Sequence, residues 1–162
     1  MTNQRNMQKG AAGVGGGYRY FKINVTAIQG TPSSDSCIAM NIEWRVATAE
    51  QLPTMTSNTA PSPYVISTNT SETDAYLCYD DNAGTYGKID SPYTSPAWIK
   101  VDVGAGNEFT PDSITYRAHA GGPQHSPKDF TIEASNDDSA WDVLDTQTGV
   151  TWDADETKTF SF

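Results

Sequence analysis

The sequence predicts an all-β sandwich, and three observations carry that expectation. Short segments alternate apolar with polar residues, turn-forming residues separate them, and no run places apolar residues at i, i+3, i+4 and i+7 over three turns. The first strand is expected in 18–28, YRYFKINVTAI, where Tyr20, Lys22 and Asn24 alternate with Phe21, Ile23 and Val25. One face is apolar and the other polar, as in a half-buried strand. After the turn-rich QGTPSSDS comes 37–46, CIAMNIEWRV, in which Ile38, Met40, Ile42 and Trp44 share a face. These two segments are expected to pair.

Residues 47–76 are rich in Thr, Ser, Pro and Asn, which predicts irregular structure with one short strand near 64–66. The second half divides into WIKVDV, SITYRAHA, DFTIEAS, AWDVLDT and ETKTFSF, each short and separated by Gly, Pro, Asn or Asp. About seven short strands at this spacing indicate a sandwich or barrel. In 98–104 the apolar run Trp98, Ile99, Val101, Val103 reads as core, ended by Gly104. Asn136, Asp137 and Asp138 suit a tight hairpin, with Trp141 expected to point inward.

A chain of 162 residues fits one domain. Ten Lys and Arg against twenty Asp and Glu give a net charge of −10, which repels phosphate backbones and anionic lipid. Nucleic acid and membrane are therefore not expected as partners. The first 17 residues lack the apolar core of a secretory signal, and no stretch approaches the ~20 apolar residues of a membrane span. A protein made in a cytoplasm and soluble there is expected. Cys37 and Cys78 are the only cysteines, expected as two buried thiols, although one bridge between them stays open. Residues 1–17 carry five glycines and few apolar side chains, so they read as a flexible arm ahead of a domain at 18–162.

The segments at 18–27 (YRYFKINVTA), 96–104 (PAWIKVDVG) and 126–149 (SPKDFTIEASNDDSAWDVLDTQTG) resemble the discoidin domains. These are also called coagulation-factor type C domains, and they belong to the galactose-binding-like jelly rolls. The resemblance runs over about 18–162, and it is similar in particular to discoidin-like units of phage tail and other virion proteins. It implies a jelly-roll β-sandwich in a virion component. The order departs from that pattern, because strands like 18–27 and 38–46 close the domain in relatives and stand first here. Either the chain is a circular permutant, which we favour, or its first strands complete a neighbouring copy in a homo-oligomer.

The resemblance further implies a ligand site in loops at one end of the sandwich and a calcium site nearby. The stretch YDDNAGTYGK resembles the family's Asp and Asn loop, so Asp80, Asp81 and Asn82 are the candidate ligands of a structural calcium, the one cofactor expected. Asn41 stands where relatives commonly place a Glu associated with that metal, which counts against it. A sugar needs an aromatic to stack on and polar groups for its hydroxyls. The candidates are Tyr86, Tyr93, Arg117, His119 and His125.

Catalysis finds little support. His119 and His125 are the only histidines, and no nucleophile elbow, zinc-protease helix, phosphate loop or dinucleotide fingerprint is present. Ser126 beside His125 makes no triad, since neighbours on a strand point to opposite faces. Asp153, Asp155 and Glu156 read as a solvated turn. The expected function is a non-catalytic virion module that binds carbohydrate, such as cell-surface glycans, or other virion subunits in host adsorption, with residues 1–17 contacting other virion proteins. The alternative is a capsid or tail decoration protein without sugar binding, held to other virion proteins by residues 1–17.

Overall fold

A computed structural model of the protein describes residues 16–31 and 35–162. The arm expected at 1–17, and the partner chain expected to hold it, lie outside the described residues apart from Gly16 and Gly17. The strands are β1 (Tyr20–Ile28), β2 (Cys37–Ala39), β3 (Asn41–Val46), β4 (Ala49–Glu50), β5 (Val65–Thr68), β6 (Gly87–Asp90), β7 (Ala97–Asp102), β8 (Ser113–Arg117), β9 (Pro127–Ser135), β10 (Asp142–Gln147) and β11 (Thr157–Ser161). Helical structure among the described residues is limited to 3-10 turns at Ala75–Tyr79 and Pro123–His125.

All strand pairs are antiparallel. One sheet runs β10-β9-β1-β7-β5, a second runs β11-β8-β3-β4, and β2 pairs with β6 apart from both. Alternation explains the packing. Phe21, Ile23 and Val25 of β1, Ile99 and Val101 of β7, and Ile132 of β9 are buried on one layer; Ile42 and Trp44 of β3 and Ile114 and Tyr116 of β8 are buried on the other. Phe21 meets Trp44 across the layers at 5.0 Å between ring centroids, and Phe130 meets Phe160 edge-on at 5.3 Å. The all-β sandwich is thus present, with both thiols free and buried.

The expected pairing of 18–28 with 37–46 does not occur. β1 lies between β9 and β7, and β3 lies in the opposite sheet beside β8 and β4. Both segments carry an apolar face, and those faces meet through the core, so their edges are free to pair elsewhere. The alternation is also broken at Met40, where β2 ends and β3 begins.

Trp98 and Trp141 are not core residues. Ala97, Ile99 and Val101 take the buried face of β7, leaving Trp98 half-buried on the outer face with Lys100 and Asp102. Trp141, also half-buried, receives the Lys22 ammonium 3.9 Å from its ring centroid. From the same hairpin Asp138 reaches Lys100, Nζ to Oδ2, at 2.5 Å. The β9–β10 turn therefore leans over the outer face of its own sheet. The tryptophans that fill the interior are Trp44 and Trp152.

Both ends of the described chain fasten to one short segment. Tyr18 bridges Phe109, and the Phe162 amide donates to the Asp112 carbonyl at 3.0 Å. A Cβ on Gly17 would lie 2.2 Å from the Phe109 backbone, and its φ is +37°, so only glycine passes there. β1 and β11 thus belong to different sheets and meet at the same end of the sandwich. The loops that follow β1 and β8 and precede β3 and β9 lie at the other end.

Candidate functional site

At that far end, three of the expected ligand-binding residues come together. Tyr86 precedes β6, whose first residue, Gly87, has no room for a side chain: a Cβ would sit 2.4 Å from Cys78 Sγ and 2.6 Å from the Cys78 amide nitrogen. Backbone and helical turn are therefore in close contact, and Tyr86 projects outward, 41% exposed. The His119 ring stands edge-on to it at 4.7 Å, and His125 follows at 5.9 Å from His119. The turn at Pro123–His125 is tied to the end of β1 by Gly30 N–H donating to the Gln124 carbonyl and Gln29 N–H to that of Ser126.

The electrostatics of this cluster are mild. His125 Nδ1 lies 3.2 Å from the Ser36 amide nitrogen and 3.9 Å from an Asp35 carboxylate oxygen. His119 Nδ1 is buried and has no hydrogen-bond partner among the described residues. Burial first, then the neighbouring His125, lowers the His119 pKa below its ordinary value, so this imidazole is neutral at pH 7. The result is an exposed phenol ring beside a neutral imidazole. Ser126 Oγ is buried with no partner among the described residues, so it forms no nucleophile and base pair with His125.

Tyr93 and Arg117 lie elsewhere. Tyr93 is fully buried, and its hydroxyl donates to the Val25 carbonyl at 3.2 Å, so the ring offers no face to a ligand. Arg117 is on the outer face of the β11-β8-β3-β4 sheet, where Nε and Nη2 bond Asp155 Oδ1 at 2.7 and 2.6 Å. Glu156 accepts from the Asp153 amide and pairs with Lys158, consistent with a turn before β11.

The expected calcium set is divided. Asp80 accepts from the Asn82 amide and the Thr85 hydroxyl, and Asn82 accepts from the Gly84 amide, so both side chains shape their own turn. Asp81, at φ +53°, turns away from them. It gathers instead with Glu43 and Glu50, whose carboxylate oxygens and its own lie within 4.8 Å of one another. Among the described residues, these three side chains are grouped closely enough to hold a hard cation. Glu43 and Glu50 escaped the sequence reading because 38 residues of chain separate Glu43 from Asp81 and neither belongs to an Asp-rich string. The one available signal was Glu43 on the outward parity of β3.

Burial first, then Asp81 and Glu43, push the Glu50 carboxyl up from 4.5 to about 7, against a partial opposing effect of Arg45. The folded protein keeps this proton over a range in which the unfolded chain has released it. Stability therefore falls as pH rises through that range, about 4.5 to 7. Glu50→Gln should be more stable than the parent at about pH 8, by about 1 kcal/mol once solvent screening is allowed for, and equal to it at about pH 4. Urea unfolding at both values checks this; a variant no more stable at the higher pH would refute it.

Fold and site together define a small all-β domain with an aromatic and imidazole patch at the end opposite Tyr18 and Phe162. No protein-family model matches the chain, and the searches of curated proteins and of solved structures gave no significant match.

Proposed function

We propose that this chain is a non-catalytic binding module of the discoidin-like, jelly-roll type, and that it holds a carbohydrate at Tyr86, His119 and His125. The observation that carries the reading is the Tyr86 ring, exposed and buttressed edge-on by a neutral imidazole. A pyranose face stacks on such a ring, and imidazole nitrogens serve hydroxyls as donor or acceptor without drawing in a charged ligand. The patch lies at the end of the sandwich opposite Tyr18 and Phe162, which supports a role in virion attachment to a host, with other virion proteins as the partners of residues 1–17. The assignment to a virion rests on the resemblance of 18–27, 96–104 and 126–149 to discoidin-like units of phage tail proteins. The shared anchorage of Tyr18 and Phe162 on 109–112 supports the circular permutant over strand exchange.

A glycan array followed by titration of the captured glycans tests the proposal. Tyr86→Ala should weaken binding by about tenfold or more, the loss of ~1.4 kcal/mol of stacking. Folding stability should change by no more than ~0.5 kcal/mol, as for other exposed positions. An array that captures nothing, together with particles that incorporate the chain normally, would replace this reading with the decoration role.

A further inference from the structure

The His119 ring sits where its neutral form fits and its charged form does not. Its Nδ1 is buried with no hydrogen-bond partner among the described residues. The Gly121 backbone closes that side of the ring, since a Cβ there would lie 3.3 Å from His119 Cε1 and 3.8 Å from Nδ1. Gly122 lies as tightly against His125, where a Cβ would stand 2.7 Å from Cδ2. The Gly122 amide donates to the His119 carbonyl at 3.2 Å, and the His125 amide to the Gly122 carbonyl at 3.1 Å. Two glycines thus make a turn tight enough to bring the histidine rings to 5.9 Å. We propose that this cluster is a proton-operated switch: neutral His119 buttresses Tyr86, and protonated His119 leaves the cluster, so that a saccharide stacked on Tyr86 is released. The release rests on the carbohydrate reading above; the movement of the ring does not.

Burial and charge set the direction. In either neutral tautomer one ring nitrogen is a donor and the other an acceptor, whereas in the imidazolium both carry a proton. Nδ1 would then hold a charged N–H with no acceptor, and burying a charge costs far more than burying a neutral group. The surroundings do not offset this. Facing the two rings are Tyr86 from the turn before β6, the Met40 sulfur, which accepts from the Ala120 amide, and Asp35 from the segment before β2. Asp35 serves His125, 3.9 Å from its Nδ1, while burial and His125 act on His119, and both lower its pKa below 6.5. Other charged groups on the elements packed here are matched elsewhere: Arg117 by Asp155, Lys88 by Asp74, Glu156 by Lys158, and Asp90 by the Thr94 amide and hydroxyl. An imidazolium is attracted to the Tyr86 ring, but that ring is 41% exposed and water weakens the attraction. The folded cluster therefore takes up this proton less readily than the unfolded chain, and its stability falls as pH drops below 6.5.

The test is NMR of the full chain without sugar, from about pH 8 down to about pH 4.5. The His119 ring signals are expected to titrate with a midpoint below 6.5, and the Tyr86 ring and the Gly121 and Gly122 amides to shift with that same midpoint. His119→Phe keeps an aromatic edge without the proton, and His119→Gln serves if the first variant fails to fold; either should remove the transition at Tyr86. A Tyr86 transition retained in the variant, or a His119 midpoint at or above 6.5, would overturn the switch. The second arm measures affinity for a glycan captured on the array, which should fall about tenfold for each pH unit below the His119 midpoint, as the neutral form is depleted by that factor. Equal affinity above and below the midpoint would overturn the release and leave the carbohydrate reading standing. A shared NMR transition with no captured glycan would support the ring movement and remove the carbohydrate reading.

Discussion

Trp44→Ala should destabilise the domain by about 3 to 5 kcal/mol, the range for deleting a fully buried aromatic. The side chain has no exposed surface and packs against Phe21 of the facing sheet. Its removal opens a cavity between layers that are held at fixed spacing by two hydrogen-bonded sheets, so collapse is restricted. Urea unfolding should show a lowered midpoint at unchanged slope. Trp141→Ala is the control. That ring lies over Lys22 at 3.9 Å on the outer face, so its loss should cost only about 1 kcal/mol, from one cation–π contact and partial burial. Equal losses for the two variants would contradict the assignment of one ring to the core and the other to the surface.

Tyr93→Ala should cost a similar ~3 to 5 kcal/mol, while Tyr86→Ala should leave stability nearly untouched. Tyr93 has no exposed surface and its hydroxyl serves the Val25 carbonyl in the interior. Deleting the ring removes apolar burial and leaves that carbonyl unpaired, and the two penalties add. Tyr93→Phe isolates the second, at about 1 kcal/mol. Differential scanning calorimetry of the three variants separates the cases; a Tyr93→Ala variant as stable as the parent would return Tyr93 to the set of ligand candidates.

Much of the fold was legible because a strand has period two. The alternation in 20–25, in 42–45 and in 97–103 assigns Phe21, Ile42, Trp44, Ile99 and Val101 to the interior without any knowledge of their partners. Trp98 was misread against that same alternation. Its parity matches Lys100 and Asp102, and parity rather than hydrophobicity sets its face. A large aromatic half-covered on an outer sheet face is an ordinary outcome. Tyr93 offered no such signal, since it lies between prolines in a segment with no period. Of the ligand candidates, Tyr86, His119 and His125 meet in space, but nothing in the spacing of 86, 119 and 125 predicts a contact between two separate loops.

The sequence by itself determined the class of structure: strands of alternating parity, turns between them, a single apolar interior and a net acidic charge. Those are local or compositional properties, set by which faces of a segment are apolar. Tertiary structure decided which strand lies beside which. It placed β1 and β3 in opposite layers, put Tyr18 and Phe162 on 109–112, brought Glu43 and Glu50 to Asp81, and left Asn41 and Arg117 side by side on neighbouring strands. Strand neighbours are chosen by backbone hydrogen bonds that every residue except proline can make, so side-chain pattern carries little information about them.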